Sequence, residues 1–406
     1  MSDRAKRLLI IIAFVAIILL LGVAIWLVFL RPLALPTPAV PPTPATRPSA
    51  GGLAPAAPAP SRIVPTTPPA AGTVPSPVAA GGLTKTTTLS SSPVLAPFIA
   101  PDGVSVQYYN RTDGKFYRIL SDGTARALSD KVFYNVSRVS WAPDRQRAIL
   151  EYPDGSNILY NFVTGSQSTL PKHWQSFSFS PRSDGIAFLA MGTQTDDRWL
   201  ATAASDGANS KPIEPLGNNA SKVQVSWSPN DQVIAFSKTG SPQGFGEQDI
   251  LLVGKNHENF RALTVSGIGF DGRWSPDGQH ILYSVSSPAD QWVPKVWVTD
   301  GLPEQIGGHK TPLDLATWVN KCAFSGATTV YCAVPRELPA GVGLYPTAIA
   351  NTPDRLWKVN LQSGARQLVA IPPDDHTIDN LIISPDESFL YFTDQISGQL
   401  YKINLK

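Results

Sequence analysis

Four aspartates, Asp102, Asp144, Asp277 and Asp386, each directly follow a proline. Carboxylates recurring in this way could bind calcium or take part in acid–base work. Their setting points elsewhere. Trp274-Ser275-Pro276-Asp277-Gly278 is the fullest version: proline fixes φ near the value a β-turn needs, Asp bonds the backbone just ahead, and Gly accepts a positive φ. These aspartates are therefore read as turn formers. His173, His257, His280, His309 and His376 are scattered, with no pair at metal-ligand spacing, and none is given a role. Cys322 and Cys332 flank Ala323 to Tyr331, which reads as a hairpin, so the two thiols could face each other across antiparallel strands and form a disulfide. The alternative is a pair of buried thiols. No residue is read as catalytic, cofactor-binding or metal-ligating.

The elements behind those residues form a repeat. Related turns stand at Ala100-Pro101-Asp102-Gly103, Trp141-Ala142-Pro143-Asp144, Phe179-Ser180-Pro181, Trp227-Ser228-Pro229-Asn230 and Ile383-Ser384-Pro385-Asp386, each before an aromatic or β-branched run that reads as a buried strand. The prolines from Pro101 to Pro276 are separated by 42, 38, 48 and 47 residues, and Pro385 lies 109 beyond, the span of two units. A four-stranded unit of this length is a β-propeller blade, and the count is seven. The sixth blade lacks the Ser-Pro-Asp turn but keeps Trp318, Thr329 to Val334 and Leu356 to Leu361 in order. The seventh has only three strands before Lys406, and the Thr-rich stretch Thr84 to Leu89 is expected to supply the fourth and close the ring. Trp141, Trp227 and Trp274 recur at one blade position and are read as packing residues.

These repeats resemble the TolB-like β-propeller family, whose blades carry a Trp-Ser-Pro-Asp-Gly turn followed by an aliphatic-aromatic strand. The resemblance covers about residues 95 to 406 and implies a fold more than a task. The second domain of TolB has no counterpart here. The Ser-x-Asp-x-Gly-x-Thr-Trp boxes of sialidases, a Gly-x-Ser-x-Gly elbow and a hydrolase domain behind the propeller are all missing.

Ahead of the repeats, Leu8 to Leu30 is an uncharged apolar run of 23 residues, at 1.5 Å per residue roughly 35 Å long and enough to cross a bilayer as one helix. Arg4, Lys6 and Arg7 precede it, which predicts a cytoplasmic tail over residues 1–7 and an extracytoplasmic location for all that follows Arg31. Residues 31–83 read as a Pro/Ala-rich disordered linker, with 15 prolines between Arg31 and Ala80, and residues 84–406 as the propeller. The fold class is thus all-β, a seven-bladed propeller behind one transmembrane helix and a linker. Lys and Arg number 33 against 31 Asp and Glu, and no basic run lies beyond the tail, so a nucleic-acid partner is not expected.

The loops between second and third strands share a face with the connections between blades, and there Met191 to Arg198, Thr239 to Asp249, Ser286 to Lys295 and Arg336 to Arg355 are long. Asp196, Asp197, Arg198, Phe245, Gln291, Trp292 and Tyr345 lie in them and are the candidate partner-binding residues. They mix aromatic and charged groups suited to a protein partner or an envelope glycan, unless the loops are tolerated insertions. The sequence thus reads as a membrane-anchored binding or scaffolding module, with a channel-centred propeller enzyme of glycosidase, lyase or lactonase type as the alternative. It requires no cofactor and does not fix an oligomeric state.

Overall fold

The computed structural model describes residues 74–406 except Phe245, Asn259 and Ala350, together with residues 16–17 and 19–21. The latter five are helical and exposed. The remainder of the Leu8 to Leu30 run lies outside the described residues, and among the described residues no helix is long and apolar enough to cross a membrane.

The chain from residue 74 onward forms seven four-stranded antiparallel sheets. Blades one to six each draw four successive strands from one stretch, 94–127, 138–170, 174–215, 223–266, 268–312 and 322–370. First strands of neighbouring blades pack on each other at most of the junctions around the ring. The apolar core is divided into seven clusters, one at each blade interface, because each sheet buries one face against the blade before it and the other against the blade after it. Trp141, Trp227 and Trp274 lie in the interfaces that their blades make with the preceding blade. The fourth strand of blade four runs Leu263–Ser266.

Where the recurring turn carries a serine, the hydroxyl holds it; in blades one and two, with Ala100 and Ala142 in that place, Asp102 and Asp144 accept the backbone donors themselves. The Ser275 hydroxyl donates to Asp277 at 2.6 Å and accepts the His280 N–H at 2.9 Å, and Ser384 does the same with Asp386 at 2.6 Å and Phe389 at 2.9 Å. Both serines are fully buried, so the hydroxyl satisfies a backbone donor that water cannot reach. The aspartates thus do backbone work, and Ser384 and Ser388 hold the Asp386 carboxyl down at about 2. Gly278 needs its freedom twice over, with φ at 69° and room for a Cβ only 3.0 Å from the Asn230 nitrogen.

Blade seven takes Ile378–Ile383, Phe389–Asp394 and Leu400–Asn404 from one end of the chain and Thr87–Thr88 from the other. Thr87 pairs with Lys402 and Thr88 with Tyr401. Docking begins further upstream than composition indicated. Ala79 N–H donates to Asn404 O, Gly81 N–H to Val369 O, Thr84 N–H to Ile371 O and Ile371 N–H to Gly82 O, all at 2.9 Å. Residues 76–84, which read as the end of the linker, therefore lie across the outer strands of blades six and seven. Proline, alanine and glycine make this segment look like spacer, yet it finds partners for its main chain at two open sheet edges.

Blade six lacks the serine turn and is braced differently. Cys322 and Cys332 are directly opposed across Cys322–Ser325 and Thr329–Pro335, and a disulfide joins them with neither residue exposed. The bridge closes a short loop, worth about 2–3 kcal/mol through the unfolded chain. The double variant C322S/C332S is expected to lose about that much in urea denaturation; an unchanged midpoint and slope would show that the bridge adds nothing.

The first strands of blades one, three, five and seven each carry a bulge, with positive φ at Ala96, Ser176, Gly269 and Asn380. A bulge frees backbone groups from the ladder. Neighbouring blades collect them: Trp141 Nε1 donates to Ala96 O at 2.8 Å, and the Ser176 N–H donates to Glu151 Oε2 at 3.0 Å. Burial pushes the Glu151 carboxyl up, against that hydrogen bond and the nearby Arg138.

Candidate functional site

Three of the loops on the connection face are built in ways that fix their backbone. In blade three a short 3-10 turn, Thr195–Asp197, leaves Asp196 and Asp197 exposed, and Arg198 Nε donates back to Gly192 O at 3.4 Å. This loop closes on itself. In blade five the Ser287 hydroxyl donates to Asp290 at 2.8 Å and caps the turn Pro288–Asp290, after which Gln291 and Trp292 both take left-handed backbone, φ 54° and 60°. Two successive left-handed residues turn their carbonyls outward, and the blade-six loop meets them. Gly341 N–H donates to Gln291 O and Gly343 N–H to Trp292 O, each at 2.7 Å. At Gly343 a Cβ would stand 2.5 Å from the Trp292 carbonyl, so only glycine permits this approach.

The loops of blades five and six are thereby zipped into one surface. Val342 is buried beneath it, while Leu344 is 42% and Tyr345 71% exposed. Of the sequence-derived candidates, Gln291, Trp292 and Tyr345 are brought together here. Asp196, Asp197 and Arg198 stand apart on blade three, with no hydrogen bond linking the two groups among the described residues. Phe245 lies outside the described residues.

Sequence reasoning missed the polar groups nearer the axis. Asp271 and Arg273 alternate along the first strand of blade five, Ile268–Trp274. Arg273 is reached by solvent yet enclosed by protein, donating to Cys322 O at 2.5 Å. That enclosure pulls its pKa down, while Asp271 and Asp379 pull it back up; burial pushes the Asp271 carboxyl up, against Arg273 and Lys238. Gln224 of blade four grips Gly272 at both backbone groups, 2.8 and 3.1 Å. A small cavity of about 190 Å³ near this wall is lined by Trp318, Asn320, Lys321, Asp379 and Gln395, with Pro346 of the long blade-six loop at its side. These residues lie on different blades, and no linear spacing connects them. The alternate glycines Gly341 and Gly343 were a legible sign of close backbone approach.

No protein-family model matches the chain, and neither does any curated protein. Solved structures do match it. An oligogalacturonate lyase in complex with manganese aligns with TM-score 0.56 at 13% identity over 79% of this chain and 93% of that one. The oligogalacturonate lyase of Vibrio parahaemolyticus aligns at 0.58 and 11% over the same shares, and the Cps50 β-propeller domain of Myceliophteria thermophila at 0.53 and 12%, over 79% of this chain and all of that domain. Such likeness establishes one thing. The fold is a seven-bladed β-propeller.

Proposed function

We propose that this protein is a membrane-anchored, extracytoplasmic binding module of the cell envelope, related to TolB-like propellers, whose partner docks on the zipped loops of blades five and six. The observation that carries the reading is that surface itself: two hydrogen bonds between loops hold it rigid, and it presents Tyr345 and Leu344 to solvent beside Gln291 and Trp292. Rigid exposed aromatics bind with little ordering cost. The uncharged run Leu8 to Leu30 and the basic residues before it support the anchor and its orientation.

The enzyme alternative is supported by the likeness to the lyases and by the charged wall around Asp271 and Arg273. The manganese named with one of those lyases does not fit this chain: among the described residues no three His, Cys, Asp or Glu side chains are grouped to hold a metal ion. The binding reading is preferred on the zipped loop surface, which gathers Gln291, Trp292 and Tyr345 in one place.

A photo-crosslinking amino acid at Tyr345, compared in intact cells with one at the exposed Val163, tests it. A discrete protein adduct at position 345 that is missing at 163 is expected. Identical products at both positions, or none at 345, would refute the docking face.

A further inference from the structure

A cavity of about 540 Å³ opens on the flank of blade six where it meets blade five. Three arginines line it, Arg336, Arg355 and Arg366, around a floor that includes Trp357 and Leu315, and Asp314 is the one carboxylate among its lining residues. Arg366 reaches the Asp314 carboxylate at 3.6 Å and donates to its carbonyl at 3.0 Å, and Arg336 reaches Asp375 at 3.4 Å, both ion pairs partly or largely exposed. Exposed pairs of this length hold their partners weakly. Arg355 is exposed and makes no ion pair or side-chain hydrogen bond among the described residues. The cleft therefore carries a net positive charge.

Arg355 and Trp357 are two residues apart on Asp354–Asn360, so they project from the same side of the sheet, a guanidinium beside a half-buried indole. That strand is paired on both sides, with Thr329–Pro335 and Arg366–Ala370, and offers no edge to which an extended peptide could add. Recognition falls to side chains. A guanidinium fork fits a carboxylate in two parallel hydrogen bonds, and an indole face fits the apolar face of a pyranose ring.

We propose that this cleft binds an anionic saccharide, a short uronic-acid oligomer whose carboxylates engage Arg355 and its neighbours while one ring covers Trp357. The cleft shares no lining residue with the loop surface bearing Tyr345, so either can fail without the other. The test is calorimetric titration of the full-length chain in detergent with a galacturonate tetramer, a neutral galactose tetramer and tetraglutamate. Binding of the uronate alone is expected, weakening with added salt. Arg355→Ala is expected to weaken it about tenfold and Arg355→Lys less, since lysine keeps the charge but loses the fork; the melting temperature of each variant monitors the fold. Equal binding of the neutral tetramer, equal binding of tetraglutamate, no uronate binding, or unchanged affinity in Arg355→Ala would each overturn the proposal.

Discussion

Replacing Lys321 by Met will destabilise the propeller by about 3–5 kcal/mol at neutral pH, the penalty for leaving a buried charge without its partner. Lys321 and Asp354 are 5% and 1% exposed, and the ammonium donates to both carboxylate oxygens, at 2.9 and 2.7 Å. Asp354 also accepts the Ile378 N–H at 2.6 Å, so the pair ties blade six to the first strand of blade seven. Burial drives the Asp354 carboxyl up, and Lys321 draws it back down. In the variant that restraint is gone, and the folded-state pKa rises further above its unfolded value. Such a group costs stability wherever the unfolded chain would be ionised, and the cost shrinks as pH falls through the folded pKa. The deficit should therefore narrow as pH is lowered from 7 toward the ordinary carboxylate range, read by urea denaturation. The double variant K321M/D354N, in which the amide oxygen still receives the Ile378 N–H, should recover most of the loss at pH 7. A deficit independent of pH, or no recovery in the double variant, would mean that packing rather than charge is responsible.

Deleting residues 76–92 is expected to lower the melting temperature by about 10 °C or more and to promote aggregation. The segment makes main-chain hydrogen bonds to Leu400, Asn404, Val369 and Ile371, each net worth about 0.5–1.5 kcal/mol. It also buries Thr84 completely and places the Ser90 hydroxyl at 2.9 Å from the Leu400 N–H. Without it the strand Leu400–Asn404 becomes a free edge, the feature through which sheets pair with other chains. A deletion confined to residues 36–67 should leave the melting temperature within about 2 °C, because it removes none of these bonds. Equal effects from the two deletions, read by calorimetry, would rule out the arm as the ring's closure.

The propeller was legible because its turn is chemical. A proline with serine before it or aspartate after it recurs where backbone donors must be met, by the hydroxyl at Ser275 and Ser384 and by the carboxylate at Asp102 and Asp144, so the blade spacing is written in residues that the fold requires. Blade six lacks that turn. The pairing of Cys322 with Cys332 could be read from spacing, but Lys321 and Asp354 meet across 33 residues, and only the ladder shows why. The rim was half legible. Gln291, Trp292 and Tyr345 share a surface because glycines let one loop approach another, whereas Asp196 to Arg198 belong to a turn closed on itself. The docking of residues 76–84 was hidden by composition, since proline and alanine fit a spacer and an edge-pairing arm equally well.

The seam of the ring has a mechanical meaning. The chain enters the propeller along residues 76–84, and the same stretch spans blades six and seven before Thr87 and Thr88 complete the last sheet. Any pull on the preceding segment would act first on those few hydrogen bonds and only afterwards on a blade. Tension would strip the arm and uncover the edge of Leu400–Asn404 while the other six sheets kept all their strands. The joint that closes the molecule is thus also the place where it would yield.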